Sequence, residues 1–269
     1  ARVQQMLDLV GLAHAAKRLG GYGWTFGVHE ALDQFGAMFG ALVVGFILAR
    51  HGSYHQAFAI LLLPASINLL LVLSARLAYP SPENLESASP SQVRGTRFTR
   101  VYWVYLAGAA LVAAGFADFP LIAYHFTQAG TVSADWIAGF YAVAMAVSGT
   151  SSLVLGRLFD RYGFRVLIIM TIIAASFAPL VFLGDFDLAL LGAAIWGMDI
   201  GVHESIIPAA VAPMVPAQRR ASAFGLFTAG YGIFWFLGSA AIGYLYGLSI
   251  AWTIAFCIVT QWAAVPIFL

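Results

Sequence analysis

The sequence predicts an all-α protein that crosses a lipid bilayer several times, and three observations support this fold class. Of its 269 residues, 61% are apolar and only 9% are Asp, Glu, Lys or Arg, whereas soluble domains average about 45–50% apolar and about 25% charged residues. The mean hydropathy is +0.87. The apolar residues fall into eight runs close to the roughly 20 residues that a spanning helix needs. A soluble enzyme and a nucleic-acid-binding protein are therefore excluded.

The eight predicted spans, numbered here in chain order, cover residues 24–49, 56–75, 101–126, 136–156, 165–184, 186–213, 222–246 and 249–269. Before them, residues 1–22 contain Lys17 and Arg18 and predict a short amphipathic segment at the membrane surface. Residues 79–97 are rich in proline and serine and predict a flexible linker. This linker divides the chain into residues 1–78, with two spans, and residues 98–269, with six.

The distribution of basic residues predicts the orientation in the membrane. With eight spans, twelve of the 13 lysines and arginines lie on one side, and Arg50 alone lies on the other. Cytoplasmic loops carry an excess of lysine and arginine. We therefore expect an integral protein of the inner, or plasma, membrane whose 79–97 linker is cytoplasmic.

The first and seventh spans resemble each other in sequence. Phe26-Gly27 matches Phe224-Gly225, and two further glycine pairs share the same offset along the chain. Six helices separate the two copies, and duplicated halves are a known transporter architecture. If each half has six spans, about 100 residues carrying four further helices would precede Ala1. We therefore expect the chain to be a fragment.

The loop between the fourth and fifth spans has a specific pattern, G-x-L-x-D-R-x-G, over residues 156–163. Its glycines allow a sharp turn between helices. Asp160 can accept hydrogen bonds from the end of a helix or pair with an arginine, and the arginines can contact anionic headgroups. The alternative is an ordinary basic loop, which does not require so specific a pattern.

This loop resembles the signature G-x-L-x-D-R-x-G-R-[RK] of the major facilitator superfamily. The matching positions are Gly156, Leu158, Asp160, Arg161, Gly163 and Arg165. The resemblance covers the whole chain and implies a transporter of two six-helix bundles that rock about a central site. The eight spans would be its helices 5 to 12, and its first four helices would be missing. It also implies that these loop residues, with Phe164 as the departure from the pattern, form a cytoplasmic gate and do not bind substrate.

Small residues in the first span offer a second, weaker resemblance. Gly36, Gly40 and Gly45 are similar to a glycine motif of proton-driven antiporters in this family, although Ala41 replaces the expected proline. The alternative is that these glycines form a face for close helix packing.

Five carboxylates lie inside predicted spans, where each ionised group costs about 2.5–3.5 kcal/mol in contact with lipid. They are Glu30, Asp33, Asp118, Asp199 and Glu204. Because no lysine or arginine lies in mid-span, histidines are the cationic partners that this chain offers. The carboxylates must otherwise face a wet cavity or stay protonated.

The carboxylates form three groups along the chain. Glu30 and Asp33 are three residues apart and share a helix face. Asp199 and His203 share another face near mid-membrane, and the adjacent Glu204 lies about 100° around the helix. Each group suits a proton or substrate relay, since a histidine beside a carboxylate can exchange protons near neutral pH. The alternative is that they form hydrogen bonds between helices and stabilise the bundle.

The third group is Asp118, followed by Pro120 and, seven residues on, His125. We expect Pro120 to kink or unwind the third span and expose backbone groups. Tyr231, Phe234 and Trp235 share one face of the seventh span and could line a cavity or pack against helices.

The sequence as a whole predicts a secondary active transporter of a small organic solute, working by alternating access and coupled to protons. Acidic groups among aromatic residues slightly favour a cationic or amphipathic solute. We expect no cofactor, metal or nucleic-acid partner, no enzymatic activity, and a monomer once the protein is complete. Two alternatives remain open: a non-transporting sensor or assembly factor on the same fold, and an intramembrane enzyme that uses His203 and Glu204.

Overall fold

The computed structural model of the chain describes residues 21–78, 80, 98–215 and 219–269. Almost all of the predicted amphipathic segment and of the predicted linker lies outside these residues. The described chain contains eight helical spans long and apolar enough to cross a membrane, which confirms the predicted number. They are Tyr22–Ala49, Tyr54–Ala78, Arg100–Ala129, Ala134–Tyr162, Phe164–Leu183, Phe186–Met214, Arg220–Leu248 and Ile250–Phe268.

Two of the spans are interrupted close to prolines. The third span consists of helices Arg100–Ala114 and Phe119–Ala129, and Pro120 lies in the first turn of the second helix, where its missing N–H costs no hydrogen bond. The fifth span consists of helices Phe164–Ala174 and Phe177–Leu183. The break in the third span is the one that the sequence predicts from Pro120.

The sixth span changes its helical geometry along its length. It begins as an α-helix, Phe186–Gly201, widens into a π turn at Val202–Ile206, continues as the α-helix Ile207–Val211 and ends in a 3-10 turn, Ala212–Met214. Pro208 has no N–H to donate to the carbonyl four residues before it, and its ring crowds that carbonyl. The π turn at Val202–Ile206 contains the residue whose carbonyl would accept that hydrogen bond in a regular α-helix.

The third to eighth spans pack into one helical bundle, which contains both buried apolar clusters of the described residues. The first span lies along the fourth span and also contacts the π turn, whereas the second span packs on the first. The assignment of the first two spans to a separate bundle stays a prediction.

Close packing of the first and fourth spans depends on small residues. A side chain at Gly27 would collide with the backbone carbonyl of Ser152, and one at Gly156 would collide with the backbone of Gly23. By contrast, Gly36 and Gly40 have no described atom near the position of a Cβ. Of the motif glycines in the first span, only Gly45 approaches the fourth span in the described chain, with 3.3 Å between its added Cβ and that of Ala138.

The turn between the fourth and fifth spans is shorter than the sequence predicts. The fourth span stays helical to Tyr162, and Gly163 alone makes the turn, with φ of 61°. A side chain is strained at that φ, which explains the glycine. Gly156, which the sequence assigned to the turn, is a helical contact residue instead.

Replacing Gly27 by alanine is expected to destabilise the protein by about 1–3 kcal/mol, because overpacking forces two backbones apart. Gly247→Ala is the matched control, since no described atom lies within 4 Å of its added Cβ and alanine is the better helix former. Thermal unfolding of the purified variants measures the difference. Equal melting temperatures for the two variants would show that the close approach of Gly27 to the fourth span does not stabilise the protein.

Candidate functional site

A cavity of about 1210 Å³ lies between the first span and the bundle formed by the third to eighth spans. Four of the five predicted carboxylates line it, namely Glu30, Asp33, Asp118 and Glu204. His29 also lines it, and the described lining residues include no lysine or arginine. The structure thus brings carboxylates from three separate spans to one acidic cleft.

Asp118 lies at the break in the third span, where the chain is not helical. Its carboxylate accepts hydrogen bonds from Trp235 Nε1 at 2.9 Å and from Ser239 Oγ at 2.5 Å. Trp196 Nε1 donates to the carbonyl of Ala117 at 2.7 Å, which satisfies one of the backbone groups that the break exposes. The carboxylate is therefore held in place by neutral donors and has no basic side chain beside it in the described chain.

The two carboxylates of the first span differ in their surroundings. Glu30 is only 3% exposed and accepts a hydrogen bond from the side-chain amide of Gln34, one turn along the helix. Asp33 is exposed to the cavity, and no described side chain hydrogen-bonds to it. Glu30 is thus a fixed polar group, whereas Asp33 is available to a solute.

The π turn of the sixth span contains two neighbouring ionisable residues that meet different surroundings. Glu204 is exposed and lines the cavity, whereas His203 is buried in the bundle. No hydrogen bond from a side chain in the described ranges reaches the Glu204 carboxylate. Glu204 therefore faces the cavity, whereas the adjacent His203 faces the interior of the bundle.

Asp199 and His203 belong to a buried polar network rather than to the cavity lining. Both are at most 2% exposed, and Asp199 Oδ1 lies 3.4 Å from His203 Nε2. The Tyr231 hydroxyl is 2.7 Å from His203 Nδ1, and Gln261 Nε2 donates to Asp199 Oδ2 at 3.4 Å. Neither Asp199 Oδ1 nor His203 Nε2 has a hydrogen-bond partner in the described chain, so their 3.4 Å contact is an ion-pair distance inside the bundle.

Two aromatic side chains that line the cavity also contact this network. The Phe116 ring lines the cavity and packs on the His203 ring, with centroids 4.8 Å apart. Trp235, which also lines the cavity, presents its edge to His203 at 6.1 Å. The buried pair is therefore within two aromatic layers of the acidic cleft.

His125 is not part of this cavity, although the sequence grouped it with Asp118. It is buried, its Nδ1 is 3.0 Å from the Tyr246 hydroxyl, and its ring packs on Phe182. About two turns of helix separate it from Asp118, because His125 lies seven positions further along the chain, in the helix that begins at Phe119. The structure gives His125 the surroundings of a packing residue.

Asp160 caps the beginning of the first span. Its carboxylate accepts hydrogen bonds from the backbone N–H groups of Gly23, at 2.8 Å, and Trp24, at 2.7 Å. The carboxylate meets the positive end of that helix dipole, which is the first of the two roles that the sequence allows for Asp160. Arg157 adds a second contact, with its guanidinium 3.4 Å from the centre of the Trp24 ring.

The remaining basic residues of the turn lie at its surface. Arg161 stacks over Tyr162 at 5.2 Å, and both Arg161 and Arg165 are exposed. They are free to contact lipid headgroups or solvent. The predicted gating roles of Arg161, Gly163 and Arg165 stay predictions.

The two copies of the sequence repeat meet at the same end of the cavity. Phe26 and Phe224, which occupy equivalent positions in the repeat, line the cavity and stack with ring centroids 6.2 Å apart. A two-fold relation between halves would place equivalent residues on either side of its axis. This pair and the Asp160 cap are contacts of the first span with the seventh and fourth spans at the end that carries the arginine-rich turn.

Several neighbours of the acidic residues carry no signal in the sequence. Ser239, Gln34 and Gln261 are common polar residues, and their partners lie one turn to more than a hundred positions away. Of the three aromatic residues expected on one face of the seventh span, only Trp235 lines the cavity; Tyr231 is buried in the network and Phe234 is 46% exposed.

Comparison with known proteins agrees with the architecture. The family model described as Major Facilitator Superfamily matches residues 22–239. The uncharacterized protein Rv2265 of Mycobacterium tuberculosis is 36% identical over 245 residues, which are 89% of this chain and 60% of that protein. The uncharacterized MFS-type transporter YuxJ of Bacillus subtilis is 26% identical over 214 residues, 76% of this chain and 54% of its own length.

A third relative, the uncharacterized MFS-type transporter YybF of Bacillus subtilis, is 23% identical over 249 residues, 90% of this chain and 60% of its own length. The chain thus spans 54–60% of the length of these curated relatives.

Proposed function

Because this chain belongs to the major facilitator superfamily, we propose that it moves a small organic solute across the inner, or plasma, membrane by alternating access. Two relatives are named MFS-type transporters, which supports this reading. We further propose that the movement is coupled to protons and that the protein works as a monomer.

One observation carries the proposal: four carboxylates from three spans face a single cavity in an otherwise apolar protein. An ionised carboxylate in lipid costs about 2.5–3.5 kcal/mol, so such a group needs water, a solute, a polar partner or a bound proton. A water-accessible, acidic cavity among membrane-spanning helices is the arrangement that a solute pathway requires.

Glu204 is the residue that exchanges the proton with the cavity in this mechanism. It faces the cavity, no side chain within residues 21–78, 98–215 and 219–269 hydrogen-bonds to it, and its chain neighbour is the buried His203. The Asp199–His203 pair, 3.4 Å apart, offers a second proton site behind Phe116. Movement of the Phe116 ring would connect the two sites.

Alternating access requires that one end of the cavity closes while the other opens. The Phe26–Phe224 stack and the Asp160 cap hold the first span against the bundle at the arginine-rich end. We take this end to be cytoplasmic, as the positive-inside rule predicts. Release of Asp160 from the first span would open the cavity to the cytoplasm.

The proposal is tested with the full-length protein reconstituted in liposomes that contain the pH indicator pyranine. A panel of organic cations, anions and neutral solutes is added, one at a time, across an imposed pH gradient. At least one solute is expected to accelerate proton movement well above its rate in protein-free liposomes. If neither solute-dependent proton movement nor counterflow of any solute occurs, the proposed function is wrong.

The same experiment separates the two alternatives. A sensor or assembly factor would bind a solute without carrying it, so that binding is measured without counterflow. An intramembrane enzyme would convert a lipid or solute, which mass spectrometry of the liposome contents detects. Product formation without flux would favour the enzyme.

A further inference from the structure

We propose that the solute taken by this cavity is an organic cation, held by the carboxylate of Asp33 against a wall of aromatic rings. The proposal rests on the transport function proposed above and adds the chemical class of the substrate. Four features of the cavity support it: its charge, the free state of Asp33, the aromatic wall and the dispersion of its acidic groups.

The first feature is the charge of the cavity. Its lining combines four carboxylates with a single histidine, and no lysine or arginine lies among the lining residues that the structure describes. The carboxylates of the lining would repel a solute with negative charge, whereas a positive solute would reduce the repulsion among the carboxylates themselves. The charge of the lining therefore favours a positive solute over a negative one.

The second feature is that Asp33 is the carboxylate left free to bind. Asp118 is occupied by Trp235 and Ser239, and Glu30 is buried against Gln34. Glu204 is the proposed proton carrier. Asp33, by contrast, is exposed to the cavity, and no hydrogen bond from a described side chain reaches it.

The third feature is a continuous aromatic wall near Asp33. Phe119 packs against Tyr141, with ring centroids 4.8 Å apart, and against Trp196 at 5.4 Å, and all three line the cavity. Asp33 lines the same cavity as these three rings. Aromatic faces attract cations, most strongly when the cation is desolvated. A carboxylate beside such a wall suits a cation with an apolar body.

The fourth feature distinguishes an organic cation from a metal ion. Within the described part of the chain, no three His, Cys, Asp or Glu side chains are placed to hold one metal ion, whereas Ca²⁺ takes six to eight oxygen ligands and Mg²⁺ demands octahedral geometry. Dispersed carboxylates instead suit a bulky cation whose charge is spread over many atoms. The volume of about 1210 Å³ is large enough for a solute of drug size.

The test is equilibrium binding of radiolabelled tetraphenylphosphonium, a bulky organic cation, to the full-length protein in detergent. We expect saturable binding that Asp33→Asn weakens at least about tenfold and that Phe119→Leu weakens about two- to tenfold. Asp135→Asn is the matched control, because Asp135 is exposed at the start of the fourth span and lies outside the cavity lining. The Asp135→Asn variant is expected to bind tetraphenylphosphonium with the affinity of the unmodified protein.

Competition on the unmodified protein decides the question even if a variant does not fold. The neutral analogue triphenylphosphine oxide and sodium chloride are both expected to leave tetraphenylphosphonium binding unchanged. Absence of saturable binding, equal competition by the neutral analogue, or unchanged affinity in a folded Asp33→Asn variant would each overturn the proposal. Binding without counterflow would leave the cation site standing and remove the transport function. Flux of anionic or neutral solutes without tetraphenylphosphonium binding would support the transport function and overturn the cation site.

Discussion

Glu204→Gln is expected to reduce pH-driven solute flux at least about tenfold, to the rate of protein-free liposomes. Glutamine preserves the size and polarity of the side chain but cannot take up or release a proton near neutral pH. Glu204 is the acidic residue that faces the cavity directly beside the buried Asp199–His203 pair, so its loss interrupts the proposed proton path. Pyranine fluorescence in proteoliposomes measures the flux.

Three controls make this result specific. Glu204→Asp keeps an ionisable group and should retain part of the flux, while the exposed Asp135→Asn should retain all of it. Insertion into the membrane and elution on size exclusion should be unchanged in Glu204→Gln. Full pH-driven flux in that variant would remove Glu204 as the proton carrier.

Asp160→Ala is expected to shift the protein towards the state that is open at the arginine-rich end. The substitution removes the acceptor of two backbone hydrogen bonds, at 2.8 and 2.7 Å, from the start of the first span. Loss of a helix cap costs about 0.5–2 kcal/mol, and a change of one or two kcal/mol alters an equilibrium roughly 5- to 30-fold. The equilibrium shifts to the open state because the two hydrogen bonds of the cap form only while the first span lies against the fourth.

Thiol labelling measures the shift. Thr228→Cys places a thiol in the cavity lining, and the native Cys257 is buried, so background labelling is low. An impermeant maleimide added from the arginine-rich side should label Thr228→Cys roughly 5- to 30-fold faster in the Asp160→Ala background. Asp160→Asn, which keeps one acceptor oxygen, should be intermediate. Equal labelling rates with and without Asp160 would show that the cap does not control opening.

The candidate site could be predicted from the sequence only in part. The five carboxylates were identifiable because an acidic residue inside an apolar run is costly in lipid. Their grouping was less accurate. His125 follows Asp118 by seven residues yet lies in another part of the bundle, and Asp199 does not share the cavity with Glu204. Spacing along a helix shows which residues share a face but not which helix that face meets.

The membrane-spanning architecture, by contrast, was determined by the sequence alone. A helix in lipid must satisfy its backbone hydrogen bonds within its own segment, so each span is encoded locally, by about 20 consecutive apolar residues. The signature sequence at 156–165 is equally local, although its turn is Gly163 alone, and the family match over residues 22–239 agrees with it.

Only the tertiary structure decided which groups face water together. Trp235 and Ser239 hold Asp118 from more than a hundred residues away, and helix packing places Glu204 at the cavity but His203 in the bundle interior. The first span meets the fourth through Gly27 and Gly156 rather than through Gly36 and Gly40. These outcomes depend on the angles and distances at which the helices cross. Many weak contacts between segments distant in sequence determine that geometry, so no single segment predicts it.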